Sequence, residues 1–254
     1  MIKKLHIFQY STLVVNGRYP APGAMETLAK LHGAGIPFLI LTEQSNKTRS
    51  EIVKHMMKMG FYHMSSDIVY TSTMAAADWI ARQYPEKVKA CYIGGSGMRE
   101  VLDDAGFEIV NDHPDWLFNG FDRNAGYSDY TYCLSLLRSG AVLISTDSSA
   151  VKSSEIGEGV GPGAICRMME YASGKRALEF GRPSVITTAS ILRYAGVKAD
   201  DVLFIGNDFK KDIIPAIRCR MDTVYVTNGM EYELNVDDEM HPKWIIEDLT
   251  GLIR

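Results

Sequence analysis

Short apolar runs alternate with helical patterns along almost the whole chain, and this alternation limits the fold more than any other feature. Strands joined by crossover helices assemble into a parallel sheet. The runs at Leu5–Tyr10, Pro37–Leu41, Val88–Ile93, Asp115–Asn119, Ala141–Ser145, Val202–Gly206 and Thr223–Val226 read as strands. Helices are predicted at Pro22–His32, from the Thr48-x-x-Glu51 capping box to near Gly60, and at Met74–Gln83, Met98–Ala105, Tyr127–Leu137, Gly163–Ala172, Val185–Tyr194 and Lys210–Arg220. The segment from Trp244 to Leu249 reads as a last strand and short helix, and Gly157–Gly163 as a flexible hinge or rim. The pattern breaks near residue 77 and resumes near 178. The expected organisation is a discontinuous core of residues 1–76 and 178–254 with an inserted α/β domain at 77–177.

With 254 residues, 46% of them hydrophobic, the chain can bury a substantial core. Its formal net charge of -4 and lack of any Lys/Arg block argue against nucleic acid and anionic membrane surfaces. No apolar stretch approaches the roughly 20 residues of a membrane span. Met1-Ile2-Lys3-Lys4 leads directly into a strand without a signal-peptide apolar region, so a cytoplasmic location is expected.

Cys91, Cys133, Cys166 and Cys219 stand in apolar neighbourhoods without metal-ligand or redox spacing, and read as reduced packing thiols. Met56, Met57 and Met59 read as packing residues on one helix, and Trp79, Trp116 and Trp244 as core or domain-interface aromatics. Gly94-Gly95-Ser96-Gly97 follows a strand and opens a helix, but Glu100 stands where a dinucleotide fingerprint needs its third glycine. It reads as a plain strand-to-helix turn.

Four landmarks occur in order: Phe8-Gln9-Tyr10-Ser11-Thr12-Leu13, then Leu41-Thr42-Glu43-Gln44-Ser45, Phe180-Gly181-Arg182-Pro183-Ser184, and Ile205-Gly206-Asn207-Asp208 with Asp212. Between them lie Ile144-Ser145-Thr146-Asp147-Ser148-Ser149 and Gly161-Pro162-Gly163-Ala164. Together they resemble the haloacid dehalogenase (HAD) superfamily, in its NagD-like, p-nitrophenyl-phosphatase-like branch, across nearly the whole chain. The resemblance implies an α/β fold: a Rossmannoid core with a parallel sheet and helices on both faces, plus an inserted α/β cap.

In that family an Asp-x-Asp-Gly-Thr-Leu turn ends the first strand. Its first Asp attacks phosphorus, its second handles the leaving-group proton, and Mg²⁺ bridges carboxylates and phosphate. Aligned on Ser11-Thr12-Leu13, Phe8 and Tyr10 take the two Asp positions. A phenyl ring cannot attack phosphorus, and a phenol with a pKa of about 10 is a poor general acid and base. A one-residue slip places Gln9 at the nucleophile position. No Asp or Glu precedes Glu26, so no register restores the nucleophile.

The other implied positions are altered too. Thr42 remains as a hydroxyl donor for phosphate. Glu43 replaces the branch's Asn and brings negative charge to the phosphate seat. Arg182 replaces a Lys that holds phosphoryl oxygens, with Glu43 or Asp212 as its expected partner. Asn207 replaces a metal-binding Asp, leaving Asp208 and Asp212, which make a weak hard-cation site at most. Asp212 also reads as neutralising the start of the Lys210–Lys211 helix. Thr146, Asp147 and Ser149 occupy the cap's specificity loop, where the changes read either as drift or as altered ligand choice.

No cofactor is expected, with Mg²⁺ binding weak or absent. The leading expectation is a pseudophosphatase with a binding or regulatory role. One alternative is a non-hydrolytic binder of a small phosphorylated metabolite at the core–cap cleft. Another is residual phosphatase activity through an unconventional residue such as Tyr10 or Asp208. A protein partner and a homodimer are both left open.

Overall fold

A computed structural model of the chain describes residues 3–154, 157–231 and 240–252. The chain forms two compact units. The first comprises Met1–Thr42, Arg49–Tyr70 and Thr188–Arg254, the second Glu43–Thr48 and Thr71–Thr187. The division therefore falls at residues 70/71 and 187/188, where 76/77 and 177/178 were expected, and the 43–48 segment goes with the second unit.

The sheet of the first unit runs Trp244–Ile246, Asp222–Val226, Val202–Gly206, Leu5–Gln9, Phe38–Thr42, Val69–Thr71. The opening strand is central and pairs in parallel with Val202–Gly206 and Phe38–Thr42. Both neighbours are buried along their entire length. This is why they read as unbroken apolar runs rather than alternating ones.

Helix Ala24–Gly33 starts two residues later than its proline suggests. Pro22 lies ahead of it, where its carbonyl accepts the Leu249 N–H at 3.2 Å. Gly23 has a left-handed φ of 74°, and a Cβ there would stand 2.4 Å from the Thr250 nitrogen, so only glycine fits. The predicted helix Lys210–Arg220 divides into a wide π-type turn, Phe209–Ile213, and a short α-helix, Ile214–Arg218. Pro215 has no N–H to extend a regular ladder, and the turn closes instead with Ile213 N–H donating to the Asp208 carbonyl at 3.3 Å.

The second unit has five parallel strands, in the order Leu178–Glu179, Val142–Ser145, Trp116–Asn119, Lys89–Ile93, Glu108–Ile109. The winding reverses between Lys89–Ile93 and Trp116–Asn119. In open α/β sheets such a reversal leaves a crevice at the strands' carboxyl ends. Gly157–Gly163 is not a plain loop: Gly157–Val160 pairs antiparallel with Val151–Ser154. Gly161 and Gly163 allow close backbone contact, a Cβ at either falling within 2.3 Å of a Ser148 or Ser149 carbonyl oxygen.

Cys91, Cys133 and Cys166 are buried free thiols, and Cys219 is half-buried. Trp116 is buried in the second unit. Trp244 is 45% exposed with Lys243 Nζ 4.8 Å above its ring, so it is not a core aromatic. Met56 is buried but Met57 faces solvent, because adjacent helical positions lie about 100° apart. No described helix is long and apolar enough to cross a membrane.

Candidate functional site

The carboxyl end of the opening strand corrects the register of the catalytic positions. Phe8 is fully buried in the apolar cluster of the first unit, its ring edge-on to Phe38 at 6.5 Å. Tyr10 begins a helical turn, Tyr10–Leu13, and belongs to the same cluster. Neither side chain stands at a polar strand end. Ser11 does: its Oγ donates to Asn207 Oδ1 at 2.6 Å, and Asn207 Nδ2 donates to the Ser11 carbonyl at 3.1 Å. Gln9 alternates with Phe8 along the strand, so it takes the opposite face. It is 2% exposed, and its Oε1 accepts no hydrogen bond among the described residues. The polar pair at this strand end is therefore Gln9 and Ser11, the slipped register, and it still contains no carboxylate.

The family's Mg²⁺ does not fit these donors. A hard divalent cation takes carboxylate oxygens, whereas here an amide and a hydroxyl are bonded to each other. The nearby acids are committed to the backbone. Asp212 is buried, and its Oδ2 accepts the N–H groups of Asn207 at 3.2 Å and Asp208 at 3.0 Å. Asp208 Oδ1 accepts the Lys211 N–H at 2.9 Å, capping the turn. Both residues thus shape the loop after Val202–Gly206, and it is Asp208 rather than Asp212 that caps the turn and pairs with Lys211. Among the described residues no group of three or more His, Cys, Asp or Glu is placed to hold a metal. Thr42, the retained hydroxyl, is buried at the end of its strand.

In the second unit Glu43 is held by three donors. The Arg182 main-chain N–H reaches Oε1 at 2.6 Å, Arg182 Nε reaches Oε2 at 2.8 Å, and the Ser148 N–H reaches Oε1 at 3.4 Å. Glu43, one of the two partners foreseen for Arg182, makes a salt bridge with it. Burial and then Asp147 push the Glu43 carboxyl above its usual range, while Arg182 pulls the other way. Ser148 Oγ fixes the loop further by donating to the Arg182 carbonyl.

The specificity-loop residues are turned to internal duties. Asp147 is fully buried, pairs with Lys152 Nζ at 2.6 Å and accepts the Ser149 N–H at 2.9 Å. Thr146 Oγ1 donates to the Asn119 carbonyl at 3.0 Å. Lys152 lies outside every motif, and Ser148, though inside the 144–149 stretch, was not singled out; they became relevant only when the hairpin and loop folded against Asp147 and Glu43.

The rest of the 43–48 segment fills the crevice where the second sheet reverses its winding. The Ser45 carbonyl accepts N–H bonds from Gly95 at 3.2 Å and Met98 at 2.8 Å, satisfying the first turn of helix Ser96–Asp104. Ser45 Oγ accepts the Phe121 N–H at 2.8 Å. A Cβ on Gly97 would lie 1.9 Å from the Lys47 carbonyl oxygen, and one on Gly120 would lie 2.3 Å from Ser45 Oγ. The glycines of 94–97 thus accommodate the chain's own backbone rather than a pyrophosphate.

Comparison with known proteins agrees with this architecture. Residues 8–108 match the family model of haloacid dehalogenase-like hydrolases, and residues 179–252 a HAD-hydrolase-like model. The acid sugar phosphatase of Staphylococcus epidermidis is 31% identical over 91% of this chain and 89% of its own length. That of Staphylococcus aureus is 28% identical over 98% and 96%. Among solved structures, NagD from E. coli K-12 superposes with a TM-score of 0.87 at 24% identity, covering 98% of both chains. The p-nitrophenyl phosphatase from Archaeoglobus fulgidus does so at 0.85 and 24%, covering 100% of this chain and 99% of its own. The chain belongs to the haloacid dehalogenase-like hydrolases.

Proposed function

We propose that this protein is a pseudophosphatase: a NagD-like HAD scaffold, related to acid sugar phosphatases, in which phosphoryl transfer is impaired and a binding or regulatory role remains. The observation that carries the reading is the chemistry of the opening strand's end. Gln9 and Ser11 replace the nucleophilic and acid/base carboxylates, and Ser11 is spent on Asn207. Losing a catalytic nucleophile lowers rates by many powers of ten, and losing the metal's ligands removes its charge stabilisation as well. The test is hydrolysis of p-nitrophenyl phosphate and a panel of sugar phosphates by purified protein with Mg²⁺. Turnover indistinguishable from a Gln9→Ala/Ser11→Ala variant is expected. Metal-dependent turnover abolished by those substitutions would refute the proposal.

A further inference from the structure

Glu43 is nearly inaccessible, at 6% exposure, and its carboxylate is satisfied by donors of the kind that also bind free anions. A guanidinium and two converging main-chain N–H groups make a charge-assisted cradle for oxyanions. We propose that Glu43 is the built-in occupant of an anion site, and that Arg182 Nε, the Arg182 N–H and the Ser148 N–H form a clamp for a tetrahedral oxyanion that the chain's own carboxylate fills.

The surroundings favour occupancy from within. Asp147 adds a second negative charge, offset by Lys152 at 2.6 Å, so an incoming dianion meets repulsion as well as competition. The occupant is also tethered on its far side. Ser45, two residues on, is anchored by Gly95, Met98 and Phe121, which holds Glu43 at high effective concentration over its donors. The inference concerns residues of the second unit alone and stands whether or not the strand-end chemistry is lost.

Inorganic sulfate, with sodium chloride at equal ionic strength as control, is a suitable probe. In wild-type protein sulfate should give only its general stabilising effect. In Glu43→Ala the three donors lose this carboxylate, and sulfate near 10 mM should restore thermal stability well beyond chloride, because a ligand bound only by the folded state stabilises it. Adding Arg182→Ala should abolish that extra response. Glu43→Asn, which keeps a polar side chain at the position, should bind sulfate at least about tenfold more tightly than wild type by calorimetry. The proposal is overturned if wild type binds sulfate as tightly as the variants, or if the Glu43→Ala response survives Arg182→Ala. Should Glu43→Ala remain unfolded in both salts, a Glu43→Asn titration no different from wild type overturns it equally.

Discussion

Glu43 and Arg182 are joined twice, through the guanidinium at 2.8 Å and the main-chain N–H at 2.6 Å, so that a side chain and a backbone turn are fixed by one carboxylate. Breaking such a pair leaves an uncompensated charge in a poorly solvated place. Arg182→Ala or Glu43→Ala alone should cost about 3–5 kcal/mol in denaturant unfolding. The double variant should cost clearly less than the sum, since neither charge is then orphaned. Additive losses would show that the pair is not coupled.

The corrected register predicts which residues tolerate restored carboxylates. Gln9→Asp/Ser11→Asp/Asn207→Asp should stay folded and acquire a Mg²⁺-dependent rise in Tm. Phe8→Asp places a charge among Phe38, Ile40 and Leu203 and should cost more than about 4 kcal/mol. Thermal scans with and without Mg²⁺ compare the two sets. A folded, Mg²⁺-responsive Phe8→Asp/Tyr10→Asp protein would reinstate the alignment on Ser11-Thr12-Leu13.

Burial pushes the Cys133 and Cys166 thiols up to about 12. Almost no thiolate is then present at pH 8, and the thiolate is the reactive form. Iodoacetamide at that pH should leave both unmodified in native protein and alkylate them once denaturant is added. Mass spectrometry gives the site-by-site result, and native labelling as fast as denatured would contradict the burial.

Asp222 supplies a pH dependence of definite sign. Burial alone would raise its pKa, but Lys243 and Lys3, each 2.7 Å from Oδ2, outweigh it and hold the carboxyl below its ordinary value. Between the lowered folded value and the unfolded value the unfolded chain binds more protons. The pair therefore stabilises fully above the unfolded value and loses that contribution as pH falls through the folded one. Asp222→Asn should be less stable than wild type at pH 7 by under about 1 kcal/mol, as befits a partly solvated pair. The gap should close towards pH 2; a gap that widens in acid would reverse the assignment.

The fold was largely legible because long buried strands announce themselves: Phe38–Thr42 and Val202–Gly206 have no polar face to confuse the pattern. Two-residue strands such as Leu178–Glu179 carry too little periodicity to read. The helix expected over Lys210–Arg220 was read straight through Pro215, and neither the break nor the π-type turn was foreseen. At the site, residue types were readable and orientation was not. A strand shows a different face at each successive residue, so a one-position slip exchanges Phe8 for Gln9, and only the Ser11–Asn207 bond decides between them. The Glu43–Arg182 pair was foreseen as one of two options, while the three-donor clamp depended on the main-chain N–H of Ser148, whose direction its motif does not reveal.

The central claim, that the opening strand ends without a group able to hold a metal-bound phosphoryl, is tested most directly by calorimetric titration of the wild-type protein with Mg²⁺. The account predicts heats indistinguishable from dilution up to about 10 mM, since among the described residues no group of three or more His, Cys, Asp or Glu is placed to hold the ion. A saturable one-to-one isotherm that disappears in Gln9→Ala/Ser11→Ala protein would contradict it.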